Sequence, residues 1–127
     1  MSVGRTVTVH TCDHGPVTTP EPAWCTGRHE DGLHLVDVSH DGPDIPMAVS
    51  TEDGPVELLH LLLSQYPYGG GTEGQHLHMA VLLGGGYHRF RDDTALYRLA
   101  DELVEHAVQL RILARRLASL QSPEGAL

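Results

Sequence analysis

A leucine repeat in the last third of the chain restricts the fold more than any other feature. Apolar positions recur there at alternating steps of three and four, as Leu96, Leu99, Leu103, His106, Leu110, Leu113, Leu117 and Leu120. This spacing predicts one apolar face of an α-helix. Asp92-Asp93-Thr94 supplies an N-cap and a favourable negative charge at the helix start. We therefore predict a C-terminal helix over residues 93–121.

Such a helix is on the order of 40 Å long at 1.5 Å per residue, which exceeds what one small sheet can cover. We expect a sheet to take the half near Leu96 to Leu103. Leu110 to Leu120 would then face a second copy of the chain or another protein, with His106 where the packing changes. The predicted partner is thus a homo-oligomer or a protein bound through this helix.

The rest of the chain indicates short β-strands separated by Gly, Pro and Asp turns. Residues 5–10 alternate polar and apolar, with Val7 and Val9 toward the core, and a return strand follows at 17–19. Further strands are predicted at 33–40, 47–51, 56–66 and 75–83, with the glycine-rich stretches 69–71 and 84–86 as hairpin turns. The leucines of 56–66 also fit a buried helix, but the hairpin partner that follows favours a strand.

These elements predict an α+β protein: a small antiparallel β-sheet, a zinc-clasped N-terminal region and one long C-terminal α-helix. We expect residues 1–127 to form a single domain, in which 6–92 are mainly β with metal-binding loops.

The segment from residue 10 to residue 40 holds both cysteines of the chain and several histidines. Cys25 and His29 are four residues apart, and His40 ends a predicted strand that can return to them. Either Cys12 or His14 then completes four ligands, a choice that the spacing leaves open. Thiolate and imidazole together suit Zn²⁺ and disfavour magnesium or calcium. Trp24 is expected to shield this site.

Weaker alternatives exist at the same site. Glu21 is a less favoured fourth ligand than either Cys12 or His14. If the fourth ligand were missing, the zinc would keep an open position and Glu21, Glu30 or Asp31 could act as a base. A nucleophilic Cys25–His29 pair is a poor hypothesis, since nothing in the sequence marks an oxyanion hole.

Charge and hydropathy argue against two classes of partner, nucleic acid and membrane. The formal net charge is −9 and the chain has no lysine, whereas nucleic-acid binding needs a basic surface. No segment approaches the roughly 18 apolar residues of a membrane span, and the first residues lack a signal-peptide core. We therefore expect a cytoplasmic protein that binds neither nucleic acid nor membrane.

The segment Pro22-Ala23-Trp24-Cys25-Thr26-Gly27-Arg28-His29, with the downstream His40-Asp41-Gly42, resembles a family of small uncharacterised actinobacterial proteins of Streptomyces type. This domain-of-unknown-function family is similar over residues 8–117 and shares a P-x-W-C-x3-H segment, a later His-x-Gly, a few strands and a terminal helix. The resemblance implies a further cysteine four residues before Cys25, where this chain has Glu21.

The resemblance supports the metal and the fold and implies no activity. From the residues we expect a non-enzymatic, zinc-stabilised binding or regulatory module that acts through protein–protein contacts. The alternatives are a small zinc-dependent hydrolase with an open metal site, and a purely structural subunit whose helix drives oligomerisation.

Overall fold

The structure, a computed structural model, describes residues 4–69 and 75–123 as antiparallel strands followed by one long helix. Two strands form a hairpin, β1 (Arg5–Thr11) and β2 (Gly15–Glu21). A second sheet contains β3 (His40–Asp41), β4 (Ile45–Thr51), β5 (Gly54–Gln65), β6 (His78–Leu83) and β7 (Gly86–Phe90). The helix α1 spans Asp93–Gln121. The predicted α+β class is confirmed.

The β1–β2 hairpin follows from the period-two alternation of its sequence. Val9 pairs with Val17, and the hydroxyls of Thr8 and Thr18 lie 2.8 Å apart on the outer face. Val9 is buried as predicted, and Val7 is half-buried. The same alternation continues along β2, so that its last residue, Glu21, points inward. A carboxylate is thereby carried into the interior at the end of the hairpin.

Strand β5 is the centre of the second sheet. β6 pairs along one edge of β5, while β3 and β4 pair with successive stretches of the other edge. The preference for a strand over a buried helix at 56–66 is therefore confirmed. β6 returns into β7 through Gly84 and Gly85, both with positive φ, as a two-residue type I′ hairpin loop requires. Gly70 and Gly71 of the other predicted turn lie outside the described residues.

The predicted strand over 33–40 is wrong. A single 3-10 turn covers Leu35–Asp37, and strand pairing begins only at His40. The backbone groups of this segment are bonded instead to the tip of the β1–β2 hairpin. The amide of Leu35 donates to the Asp13 carboxylate at 2.9 Å, and the carbonyl of Leu33 accepts from the Cys12 amide at 2.9 Å. A loop anchored in this way does not need a strand neighbour.

The apolar core of the described residues is small. Six apolar residues are buried, and Val81 of β6 is the one among them that is fully buried. The others are Val9, Cys25, Val38, Leu59 and Leu61. A core of this size supplies limited hydrophobic stabilisation, so a further cross-link would strengthen the fold.

The chain divides into two compact units, Met1–Asp92 and Asp93–Leu127. The second contains α1, whose 29 residues match the predicted helix. None of the described helix side chains is buried: Leu96 and Leu99 are half-buried, and the side chains from Ala100 to Leu120 are exposed. No helix in the described part of the chain is both long and apolar enough to span a membrane. The single domain and the packing of Leu96 to Leu103 on a sheet stay predictions.

Candidate metal centre

Three parts of the chain bring four metal-binding side chains together. Glu21 ends β2, Cys25 and His29 lie in the loop that follows, and His40 begins β3. One ligand atom from each lies within 4.8 Å of all the others. The side chains of Glu21, His29 and His40 are only 3%, 7% and 3% exposed, and Cys25 is buried. The result is a buried cluster of two imidazoles, one thiol and one carboxylate.

Local backbone bonds fix the position of Cys25. Its amide donates to the carbonyl of Pro22 at 3.1 Å, which folds the Pro22–Cys25 segment into a turn. Its carbonyl accepts from the Arg5 guanidinium at 2.8 Å. Gly27 adopts a φ of 82°, a region that favours glycine, and its amide donates to the Cys25 sulfur at 3.4 Å. The thiol is therefore held facing the cluster with a backbone donor directed at its sulfur.

The Glu21 carboxylate bridges the two histidines. His29 Nε2 donates to Glu21 Oε2 at 2.8 Å, and His40 Nδ1 donates to Glu21 Oε1 at 2.8 Å. His29 Nε2 also lies 3.9 Å from Cys25 Sγ. The atoms that make these contacts are the same atoms with which carboxylate, imidazole and thiolate bind a metal. A cation entering the cluster would thus replace the imidazole protons and meet four donors already facing inward.

The electrostatics of the cluster centre on Glu21. Burial acts to raise the pKa of its carboxyl, but hydrogen bonds from Cys25, His29 and His40 outweigh burial and hold the pKa below its ordinary value. Burial raises the pKa of the Cys25 thiol, and the hydrogen bond to Glu21 raises it further.

Aromatic rings surround the His40 imidazole. The Trp24 ring meets it edge-on with centroids 6.4 Å apart, and the His29 ring does so at 5.5 Å. His40 itself is 2% exposed. Trp24 thus contacts the His40 side of the cluster, and its shielding of the whole site stays a prediction.

The structure brings together three of the five predicted ligands, Cys25, His29 and His40, and leaves two apart. Cys12 is an exposed free thiol beyond the end of β1. His14 lies in the hairpin turn, has a 60% exposed side chain, and points its Nε2 toward Asp13 at 3.8 Å. Neither belongs to the cluster, because the hairpin carries its tip away from the end where β2 meets the loop.

Glu21 takes the fourth position in the cluster, although the sequence favoured Cys12 or His14 over it. The signal was present in the alternation of Val17, Thr19 and Glu21, which puts all three on the inward face of β2. Thr19 and Glu21 are indeed 3% and 5% exposed. An inward carboxylate four residues before Cys25 needs partners, and the two histidines and the thiol supply them.

Comparison with known proteins identifies a family and no characterised relative. A family model described as a domain of unknown function, DUF6907, matches residues 6–119, which include all four residues of the cluster. No curated protein and no solved structure matches the chain. The match confirms the predicted membership of a domain-of-unknown-function family, while the actinobacterial source and the Trp-Cys-His motif stay predictions. The chain therefore belongs to the DUF6907 family.

Proposed function

We propose that the buried cluster binds one structural Zn²⁺ through Glu21, Cys25, His29 and His40. The observation that carries this proposal is the convergence of four buried donor atoms within 4.8 Å of one another. A buried carboxylate, thiol and two imidazoles form a costly assembly unless they are paired or bind a cation. In the metal-free state the hydrogen bonds to Glu21 provide that pairing, and zinc would replace them.

The donor set suits zinc better than other common cations. Zn²⁺ accepts thiolate sulfur, imidazole nitrogen and carboxylate oxygen, and it takes four ligands in structural sites. With metal–ligand bonds near 2.1 Å, neighbouring ligands of a tetrahedral ion lie about 3.4 Å apart. The cluster spans separations on both sides of this value, from 2.8 Å to 4.8 Å. Small side-chain movements are therefore sufficient to close a tetrahedral site.

A structural role follows from where the ligands lie in the fold. Glu21 belongs to the β1–β2 hairpin, His40 to the five-stranded sheet, and Cys25 and His29 to the loop between them. An ion held by all four would join the two sheets and the loop at one point. Because the apolar core is small, the binding energy of such an ion would be folding energy.

The function that this arrangement supports is a non-enzymatic, zinc-stabilised module that acts through protein contacts. Four protein ligands complete a tetrahedron and leave no position for a reacting water. The exposed apolar side chains of α1 are the contact surface that we propose. The alternative of a purely structural subunit differs from this module only in its partner, which would be another copy of the same chain and no other protein.

Metal analysis of the untagged protein, purified without chelator, tests the zinc proposal. We expect about one zinc per chain, and a sharp fall in melting temperature when a chelator removes it. Cys25→Ser should lose most of the bound zinc, because it removes the thiolate ligand. Cys12→Ser is the matched control and should keep the full zinc content, since Cys12 lies outside the cluster.

Two results would contradict the proposal. The first is a folded wild-type protein that binds no zinc from solution. The second is equal zinc loss in the Cys12 and Cys25 variants, which would return Cys12 to the ligand set.

The second candidate is a zinc hydrolase, favoured by a cavity of about 370 Å³ beside the cluster. His29 lines this cavity together with Arg28, Glu30 and Asp41. If Glu21 acted as a base and not as a ligand, water could reach a three-coordinate zinc from this side. Hydrolysis of model esters that disappears on chelation, with an unchanged melting curve, would favour this candidate over the structural role.

A further inference from the structure

The leucine repeat of α1 is regular over seven turns, and it is exposed from Leu103 to Leu120. We define the leucine seam as the eight positions at heptad sites a and d, namely Leu96, Leu99, Leu103, His106, Leu110, Leu113, Leu117 and Leu120. Within it Leu110, Leu113, Leu117 and Leu120 are 52–66% exposed. A strict a/d repeat sustained over more than three heptads is the pattern of a coiled coil. Exposed seams of this kind mark interaction surfaces.

We propose that α1 pairs with α1 of a second copy of the chain, antiparallel, with the two-fold axis beside Ala107 and Gln109. The inference rests on the proposed role of α1 as the contact surface and names its partner. Antiparallel pairing sets each a position of one helix against a d position of the other. One alignment uses all eight seam positions, with Leu96 against Leu120, Leu99 against Leu117, Leu103 against Leu113, and His106 against Leu110.

The charges of α1 complement each other only when the second helix runs in the opposite direction. Residues 93–105 hold four acidic side chains and one basic one: Asp93, Asp101, Glu102, Glu105 and Arg98. Residues 106–121 hold three arginines and no acidic residue: Arg111, Arg115 and Arg116. An antiparallel copy brings the acidic half of each helix beside the basic half of the other. A parallel copy brings like charges together.

The residues that flank the seam lead to the same orientation. In an antiparallel pair, the row of side chains on one side of the seam faces the same row of the other helix, read backwards. For the g positions this sets Glu102 opposite Arg116 of the second copy, twice by symmetry, and Gln109 opposite its own copy. For the e positions it sets Ala100 opposite Ala114, and Ala107 opposite itself. Small residues there allow the two helices to approach closely.

A parallel pair lacks all of these matches. Position g would then face position e, so that Glu102 and Gln109 would meet only alanines. His106 would lie opposite its own copy at a d layer, which places two titratable rings together in the apolar seam. In the antiparallel pair each His106 packs against Leu110 and lies beside the centre. The packing of the seam residues, the pairs that flank the seam and the charge distribution along α1 therefore all favour the antiparallel orientation.

A shorter apolar row, Val104, Val108 and Ile112, lies on the other side of α1, and these residues are 45–62% exposed. It carries no heptad repeat and no matching flanks. The proposal therefore concerns the leucine seam alone.

Sedimentation equilibrium of the full chain over a range of concentrations tests the association. We expect a mass of twice 13.8 kDa. Leu113→Glu should convert the protein to a monomer, because each copy would then place a charge against Leu103 of the other copy in an apolar layer. A wild-type protein that remains a monomer at millimolar concentration would overturn the proposal. Zinc content is measured on the same samples, so a metal-free dimer would refute only the zinc proposal and a zinc-loaded monomer only this one.

Charge reversal at the flanks tests the orientation. Glu102→Arg alone and Arg116→Glu alone each create two like-charge pairs, and each should weaken the dimer about tenfold or more. The double variant restores opposite charges across the interface and should recover the wild-type dissociation constant. Asp101→Arg, Arg115→Glu and their combination are the matched controls, with the same charge changes and spacing at the outward f positions. Single reversals that act no more strongly than these controls, or a double variant without rescue, would overturn the antiparallel pairing.

Discussion

Replacing Glu21 by glutamine is the sharpest single test of the cluster, since it keeps the shape of the side chain and removes its charge. In the metal-free protein, both carboxylate oxygens accept a hydrogen bond of 2.8 Å from a buried imidazole. Hydrogen bonds to a charged group contribute about 1.5–3 kcal/mol each, and neutral ones about 0.5–1.5 kcal/mol. The glutamine oxygen can still accept one of these bonds, but the amide nitrogen that replaces the other oxygen cannot accept the second. Weakening one bond and losing the other should lower the free energy of unfolding by about 2–4 kcal/mol.

The same substitution should have a larger effect with zinc present. An amide is a weaker zinc ligand than a carboxylate, and loss of even an outer-shell partner costs 10–100-fold in metal affinity. We therefore expect Glu21→Gln to weaken zinc binding by about 100-fold or more. At zinc concentrations well above both dissociation constants, a 100-fold loss removes about a further 2.7 kcal/mol of stabilisation.

Urea denaturation of both proteins, with chelator and with excess zinc, measures both effects. Glu57→Gln is the matched control: Glu57 also accepts from a histidine, His60 Nδ1 at 3.0 Å, but its side chain is 45% exposed. Exposed pairs contribute at most about 1 kcal/mol, so the control should change little, with or without zinc. If Glu21→Gln were as mild as Glu57→Gln in both conditions, the buried cluster would not stabilise the fold.

Two further predictions concern other parts of the unit Met1–Asp92. In an NMR pH titration, the pKa of His60 should lie above its ordinary value of 6.5, mainly because Asp44 accepts a hydrogen bond from it at 3.0 Å, with Glu57 adding to the shift. The stability that protonated His60 contributes is then complete below pH 6.5 and is lost as the pH rises through the folded-state pKa. An unshifted pKa would contradict this prediction. Gly42→Val should lower the free energy of unfolding in urea denaturation by about 1–3 kcal/mol, because a Cβ at this buried position lies 3.3 Å from a β5 side chain. Gly86→Val is the control: a Cβ there meets open space, so this variant should be nearly neutral in the same assay.

Some sequence patterns were sufficient to predict a helix or strand, and one was not. The leucine repeat predicted α1 with its observed bounds, because helical spacing and an N-cap act locally. The alternation of residues 5–10 predicted β1 for the same reason. The alternation of residues 33–40 was equally regular and failed, since hydrogen bonds to the hairpin tip, such as that from Leu35 to Asp13, replaced strand pairing. Alternation of polar and apolar residues is compatible with a strand, but the strand forms only where a neighbouring strand pairs with its backbone.

The sequence by itself determined the α+β class, the long helix and three members of the cluster, because spacing and side-chain chemistry are properties of the chain. The fourth member was decided by the tertiary structure. Cys12, His14 and Glu21 all lie near Cys25 in sequence, and the sequence favoured either Cys12 or His14 over Glu21. The turn of the β1–β2 hairpin carries Cys12 and His14 to its exposed tip and brings Glu21 back to the loop and to His40. Which donor reaches a site depends on where the chain reverses, and that is fixed by strand pairing across the whole hairpin.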